Sequence, residues 1–253
     1  MNEMFNNNGY GYVDLGLPSK TLWATCNVGA DNPSDFGLYF QWGDVKGCTK
    51  GQIGRDKAFS LSTYKWSVDG IDSNFSKYNT VGDTLDLEDD AANIHMGGDW
   101  HMPTPEQIRE LIENTTTTWT RYNGVIGLSF MSKRDILKDI FFPIAGCVKN
   151  GSLRYFGSEG YIWSSELSKN NIDDGQNLNI TSEGINVYEN HRSLGFPVRG
   201  VIDKHPGLSE LIKNEIKDNF KVKVTSLDYR GNIKVELLYN GEIISSDTCQ
   251  VRQ

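Results

Sequence analysis

Short alternations of apolar and polar residues, broken often by glycine, run through most of this chain, and helical spacing appears in only a few places. In PTPEQIRELIEN, Ile108, Leu111 and Ile112 recur along one helix face. Thr104 and Gln107 there stand at capping-box spacing, with Pro105 at the first helical position. LEDDAANIHM predicts a second helix, with acids at the positive end of its dipole and a stop at Gly97-Gly98. The rest of residues 10–202 reads as short strands, many aromatics and long irregular connections, so the predicted class is one loop-rich α+β domain. Residues 1–9 are rich in asparagine and have few apolar groups to offset the entropy of ordering, which predicts a flexible start.

The pattern changes over residues 203–253. HPGLSELIKNEIKDNF places Leu208, Leu211, Ile212 and Ile216 in helical register after a Pro-Gly break. KVKVTSLDY, NIKVELLY and EIISSDTCQV then predict a three-stranded meander, turned at Arg230-Gly231-Asn232 and Asn240-Gly241. A helix and a meander of this size form a marginal unit, suited to packing on a partner or on copies of itself.

Between Gly157 and Val201 an apolar-aromatic strand, a Trp-Ser-Ser turn, an Asn-rich stretch and a closing Pro-Val-Arg strand follow one another. This layout presents a variable polar surface on a rigid frame. Asn170, Asn171, Asn177, Asn179, Tyr188, Asn190 and His191 are the candidate ligand-binding residues, supplying hydrogen bonds and rigid aromatic area.

Composition narrows the classes. A net charge of -8 and the absence of a dense Lys/Arg cluster argue against a nucleic-acid surface. No apolar run reaches membrane-spanning length, and the start lacks the basic and apolar regions of a secretory signal, which predicts synthesis without export. Cys26, Cys48, Cys147 and Cys249 lack metal or redox spacing and read as free thiols, with a Cys26–Cys48 pair as the alternative. Trp23, Trp42, Trp100 and Trp163 are expected in the core, and Trp66 and Trp119 nearer the surface.

Candidate chemistry is sparse. Asp86, Glu88, Asp89 and Asp90 offer oxygen ligands for calcium, but no DxDxDG loop surrounds them, and acids at a helix start have an electrostatic purpose already. The expectation is no cofactor and no metal. His95, His101, His191 and His205 show no paired spacing, and Ser164 and Ser165 stand in no GxSxG elbow. Nothing singles out a pair of carboxylates for glycosidase work, and Arg199 reads as a structural ion-pair or carbonyl partner. No enzyme is predicted.

Three separated blocks occur in an order that carries a resemblance. GYVDLGLPSKTLWATCNVGADNPSDFGLYFQWGD, LEDDAANIHMGGDWHMPTPEQIRELI, and YIWSSE with a terminal GFPVRGV closely resemble the Fibrobacter succinogenes major paralogous domain, a family abundant in Bacteroidetes. The resemblance implies a C-type lectin-like fold over residues 10–202, with two helices flanking small antiparallel sheets, ends close together, and late loops forming an exposed face for proteins or sugars. In variable proteins of diversity-generating retroelements such a face carries the diversified residues, and the texture of Asn170 to Ser193, with Asn186 included, is similar. Family members are typically exported. A chain without an export signal fits instead a virion protein of a bacteriophage infecting such bacteria: a fibre, tail or capsid decoration recognising a bacterial surface glycan or protein. Residues 203–253 would then attach it to other virion proteins or to its own copies. The alternatives are a Bacteroidetes surface adhesin and an enzyme of the formylglycine-generating or glycan-acting kind. The latter is disfavoured because no cysteine lies between Cys147 and Cys249.

Overall fold

Strand after strand in this computed structural model is short and pairs antiparallel. The structure describes residues 5–54, 58–203, 219–226 and 232–250. In chain order the strands are β1 (Phe5–Asn7), β2 (Tyr10–Val13), β3 (Leu22–Asn27), β4 (Tyr39–Phe40), β5 (Thr115–Tyr122) and β6 (Val125–Ser132). They continue with β7 (Asp139–Pro143), β8 (Cys147–Lys149), β9 (Ser152–Arg154), β10 (Gly160–Leu167), β11 (Asp174–Ile180) and β12 (Ile185–His191). The last are β13 (Phe196–Pro197), β14 (Arg199–Ile202), β15 (Phe220–Ser226), β16 (Asn232–Tyr239) and β17 (Glu242–Gln250). Two α-helices, α1 (Ala91–Met96) and α2 (Pro105–Asn114), lie between β4 and β5. Among the described residues the class is therefore α+β, loop-rich, with small antiparallel sheets and two helices. By internal contacts the chain divides into Met1–Asp203 and Lys204–Gln253.

The first unit is organised by a sheet of order β1-β2-β3-β14, which sets its first strands beside its last. Residues 5–7, expected to be flexible, pair instead with β2 around a turn in which Asn8 and Gly9 take positive φ. Two three-stranded sheets, β5-β6-β7 and β10-β11-β12, the hairpin β8/β9 and the two-stranded pair β4/β13, joined across most of the chain, complete the unit.

Helix α2 forms where the capping pattern predicts. Thr104 Oγ1 accepts from Gln107 N at 3.2 Å, and Gln107 Oε1 accepts from Thr104 N at 2.9 Å. Ile108 and Leu111 are fully buried, and the helix gives way to the β-branched run Thr115–Thr118, which favours strand. The helix expected over LEDDAANIHM is divided. Leu87–Asp89 makes one 3-10 turn, and Asp90 then adopts extended backbone to cap α1, its Oδ1 accepting from Asn93 N at 2.9 Å and its Oδ2 from Met102 N at 2.7 Å. The amphipathic helix expected over 205–220 falls almost entirely outside the described residues.

Trp23, Trp42, Trp100 and Trp163 are all at 0% exposure, whereas Trp119 is 41% exposed. Each buried indole removes about 150–250 Å² from water, worth roughly 4–6 kcal/mol before entropy, more than any local hairpin supplies. Trp42 Nε1 donates to Ser164 O and Trp163 Nε1 to Phe40 O, both at 2.9 Å, so each indole also ties β10 to the segment around β4. Cys48 and Cys147 are buried free thiols and Cys26 is a half-buried one.

Two fully buried guanidiniums replace missing regular structure. Arg199 donates to Asn27 Oδ1 (2.8 Å), Ala24 O (3.0 Å), Thr25 O (2.9 Å) and Phe141 O (3.1 Å), joining β14 to β3 and β7. Burial pulls its pKa down to about 10, so it stays charged at neutral pH. Arg192 donates to Tyr64 Oη (2.8 Å), Tyr78 O (2.9 Å), Ile172 O (3.1 Å) and Lys77 O (3.1 Å).

In the second unit β15, β16 and β17 form the predicted meander in that order. Glu236 is buried and held by Lys234 at 2.6 Å. No helix among the described residues is long and apolar enough to cross a membrane.

Replacing Arg199 by alanine strands three buried acceptors and a fourth, Thr25 O, that is partly buried. Arg199→Ala is expected to lower stability by roughly 3–5 kcal/mol in urea unfolding. A loss below about 1 kcal/mol would show that water replaces the guanidinium.

Candidate functional site

Strands β10, β11 and β12 form a sheet with two unlike faces. Ile162, Leu178, Ile180, Ile185 and Val187 join the core that also contains Ile108 and Leu111 of α2. Residues paired directly across strands point to one side, so the opposite face is read in rows. Tyr161 pairs with Asn179 and Asn179 with Asn186. Trp163 pairs with Asn177 and Asn177 with Tyr188, while Gly175 pairs with Asn190. The asparagines of QNLNI and INVYENH thus share a face because they alternate with the apolar residues that fill the core.

The seven candidate residues do not form one patch. Asn177 is buried at 0% exposure and does structural work: its Nδ2 donates to Tyr188 O at 3.2 Å and its Oδ1 accepts from Asn190 Nδ2 at 3.4 Å. The placement corrects the expectation of a surface contact, since its row begins at the buried Trp163, which packs against Phe196 and Trp42 in the core. Asn179 is half-buried, and its Oδ1 is shielded from water without a hydrogen-bond donor. Tyr188 is 54% exposed on the edge strand. Asn170 and Asn171 are exposed and shape their turn, their backbone amides donating to Ser168 Oγ at 2.9 and 3.0 Å. Asn171 Nδ2 also reaches Asp174 Oδ2 at 3.0 Å.

His191 is engaged on both sides, with Nδ1 at 2.7 Å from Ser193 Oγ and Nε2 at 2.8 Å from Asp72 Oδ1. Ser193 is buried and its amide also approaches Nδ1, at 3.2 Å, so the pair closes a turn. Asp72, Asp173 and His191 bring their ligand atoms within 4.8 Å of one another. Asp173 is nevertheless taken up by Ser73, whose amide and hydroxyl donate at 2.6 and 2.8 Å.

The acids weighed for calcium are likewise partnered. Lys77 Nζ lies 2.5 Å from Asp86, 3.4 Å from Glu88 and 2.6 Å from Asp89, and Lys65 Nζ lies 2.6 Å from Asp89. Ammonium groups stand where a cation would bind. Burial pushes the Asp89 carboxyl up, but the hydrogen bonds from Lys65, Lys77 and Tyr78 outweigh it and hold the group below its ordinary 3.8. Ser164 is fully buried and donates to Gln176 O at 2.8 Å. Arg199 hydrogen-bonds carbonyl and amide oxygens and covers the Phe142 ring, a structural role.

Two hollows flank the sheet. One of about 430 Å³ lies along Arg109, Asp174, Gln176 and Tyr188. The other, about 490 Å³, is bounded by Lys149, Arg154 and Tyr155 from the β8–β9 hairpin, Glu159 and Tyr161 from the start of β10, and Asn190. Gly146 N donates to Glu159 O at 3.0 Å and Val148 pairs with Gly195, which fixes the hairpin over this cleft. Cys147 lies at its floor with a thiol pushed up to about 11 by burial, so it is unreactive near neutrality. The hairpin residues escaped sequence reasoning. Asn150-Gly151, both at positive φ, is the turn signal that would have found them.

Comparison of the chain with family models, with curated proteins and with solved structures gives no match.

Asn177→Ala should cost about 1–3 kcal/mol in thermal or urea unfolding, and Tyr188→Ala less than about 0.5 kcal/mol. Equal costs would contradict the division into structural and presented residues. Because Asp89 is held below 3.8, its stabilisation is complete above that pH and is lost as the pH falls through the lower folded value. The stability gap between the parent and Asp89→Asn should therefore close in acid unfolding curves below about pH 3.8 and stay constant from pH 5 to 8.

Proposed function

We propose that this chain is a non-enzymatic virion protein of a bacteriophage infecting Bacteroidetes, a fibre, tail or capsid decoration whose first unit is a C-type lectin-like module. The module recognises a bacterial surface through the cleft and the exposed residues of β12 and the 168–174 turn. The observation that carries this reading is the β10–β12 sheet, buried on both sides along β10 and β11 but presenting Asn186, Tyr188 and Asn190 along its outer strand beside an open cleft. Such a surface binds with little rearrangement, since its frame is held by buried tryptophans and arginines.

Further support comes from the resemblance of three sequence blocks to the major paralogous domain family and from the sheet that sets the first strands of the unit beside its last. The second unit would attach to other virion proteins or to its own copies. Its meander leaves Val222, Val224, Ile243 and Ile244 more than half exposed, an apolar surface suited to a partner. Several copies on one particle would raise weak single-site affinity through effective concentration. No metal or cofactor enters this reading.

Peptide mass spectrometry on density-purified particles and on cell envelopes tests the location. Stoichiometric recovery in particles is the expected result, and recovery only in envelopes would make the chain a surface adhesin. The site is tested with Tyr188→Ala and Asn170→Ala combined, which should reduce adsorption to host cells about tenfold or more while thermal unfolding stays unchanged. Undiminished adsorption would mean that this edge only decorates.

A further inference from the structure

We infer that the cleft under the β8–β9 hairpin takes a saccharide bearing a carboxylate. The inference rests on the binding role proposed above and specifies the chemistry of the ligand.

Register supplies the first argument. Cys147 pairs with Arg154 and Lys149 with Ser152, so Arg154 and Lys149 project from the same side of the hairpin as Cys147, which lies at the cleft floor. They occupy diagonal positions on neighbouring strands, with Cβ atoms about 7 Å apart, a separation that two oxygens of one anionic sugar can bridge. Both side chains are exposed, and among the described residues neither side chain makes a hydrogen bond, ion pair or ring contact. Lys65 and Lys77, by contrast, are fully engaged with carboxylates.

Charge supplies the second. The chain carries -8, yet among the described residues this cleft sets two cations against one acid, Glu159, whose Oε2 accepts from the Tyr161 hydroxyl. A local positive field within an acidic protein favours an anionic ligand and repels little of it at short range. Arg154 adds a planar fork that matches a carboxylate with two parallel hydrogen bonds.

Backbone strain supplies the third. Tyr155, at the cleft edge, has φ +55, a left-handed conformation that costs an aromatic residue about 1 kcal/mol or more. The conformation is held by Ser158 N, Ser158 Oγ and Glu159 N, which donate to Tyr155 O at 3.0, 3.0 and 2.9 Å. It leaves the ring 56% exposed beside Arg154, where it can lie against the apolar face of a sugar ring. Asn190 also lines the cleft; its Nδ2 donates to Asn177 Oδ1, leaving its side-chain carbonyl oxygen to accept from a hydroxyl.

The test is a glycan array carrying carboxylated, sulfated, phosphorylated and neutral saccharides, probed with the full chain, with titration calorimetry on the retained ones. Carboxylated saccharides should be retained preferentially. Arg154→Gln and Lys149→Gln should each weaken binding about tenfold, Tyr155→Ala should weaken it comparably, and added salt should weaken the parent. Both charge substitutions lie at exposed positions, so unchanged unfolding curves confirm that the fold survives. Preferential retention of neutral, sulfated or phosphorylated saccharides, or charge variants that bind as the parent does, overturns the inference. An empty array alongside intact adsorption to host cells overturns it and leaves the binding role standing. Failure of both removes the binding role as well.

Discussion

Among the described residues, no carboxylate pairs with the buried guanidinium of Arg192. Its guanidinium spends its donors on one tyrosine hydroxyl and three backbone carbonyls from segments with almost no regular structure. Those carbonyls would otherwise be buried and unpaired in a stretch that has neither helix nor sheet ladder to satisfy them. The ring of Phe75, 4.0 Å from the guanidinium carbon, covers one face of the charge. Tyr64 passes the connection on by donating to Trp42 O at 2.8 Å. The long connection from Phe59 to Leu85, the turn before β11 and the end of β12 are thus fixed to one another through a single side chain.

That anchoring explains how a loop-rich unit presents a defined surface. His191 and Ser193 flank Arg192 in sequence, and Ile172 lies in the turn that carries Asn170 and Asn171. The exposed groups on the edge of the β10–β12 sheet are positioned from below by the buried cation and from the side by the apolar face of the same sheet. Rigid support of this kind confines variation to the outer edge, where exchanging a side chain costs the fold little.

What was legible in the sequence follows the range of the forces involved. The start of α2 depends on residues three apart, so Thr104, Pro105 and Gln107 announce it. The four buried tryptophans stand beside small residues and read as core for the same local reason. Asn177 does not, because its burial depends on what covers the row it shares with Trp163, and that cover comes from residues distant in the chain such as Phe40 and Trp42. The split of the first helix turned on Asp90, whose second oxygen is claimed by Met102 N, twelve residues on. Arg192 escaped notice because a lone arginine among polar residues has the same local appearance whether it is solvated or buried. Lys149 and Arg154 converge only once Asn150-Gly151 folds the chain back on itself.

The sheet of order β1-β2-β3-β14 has a mechanical consequence. Phe5 pairs with Tyr12 and Ile202 with Leu22, so the chain enters and leaves at the same end of the sheet, about three strand spacings or roughly 14 Å apart. Tension between those points peels the outer strands away one hydrogen-bonded pair at a time instead of shearing all pairs together. The β10–β12 sheet lies outside that line of force. A pull applied between those points would be absorbed by the entry sheet first, while the β10–β12 sheet keeps its shape.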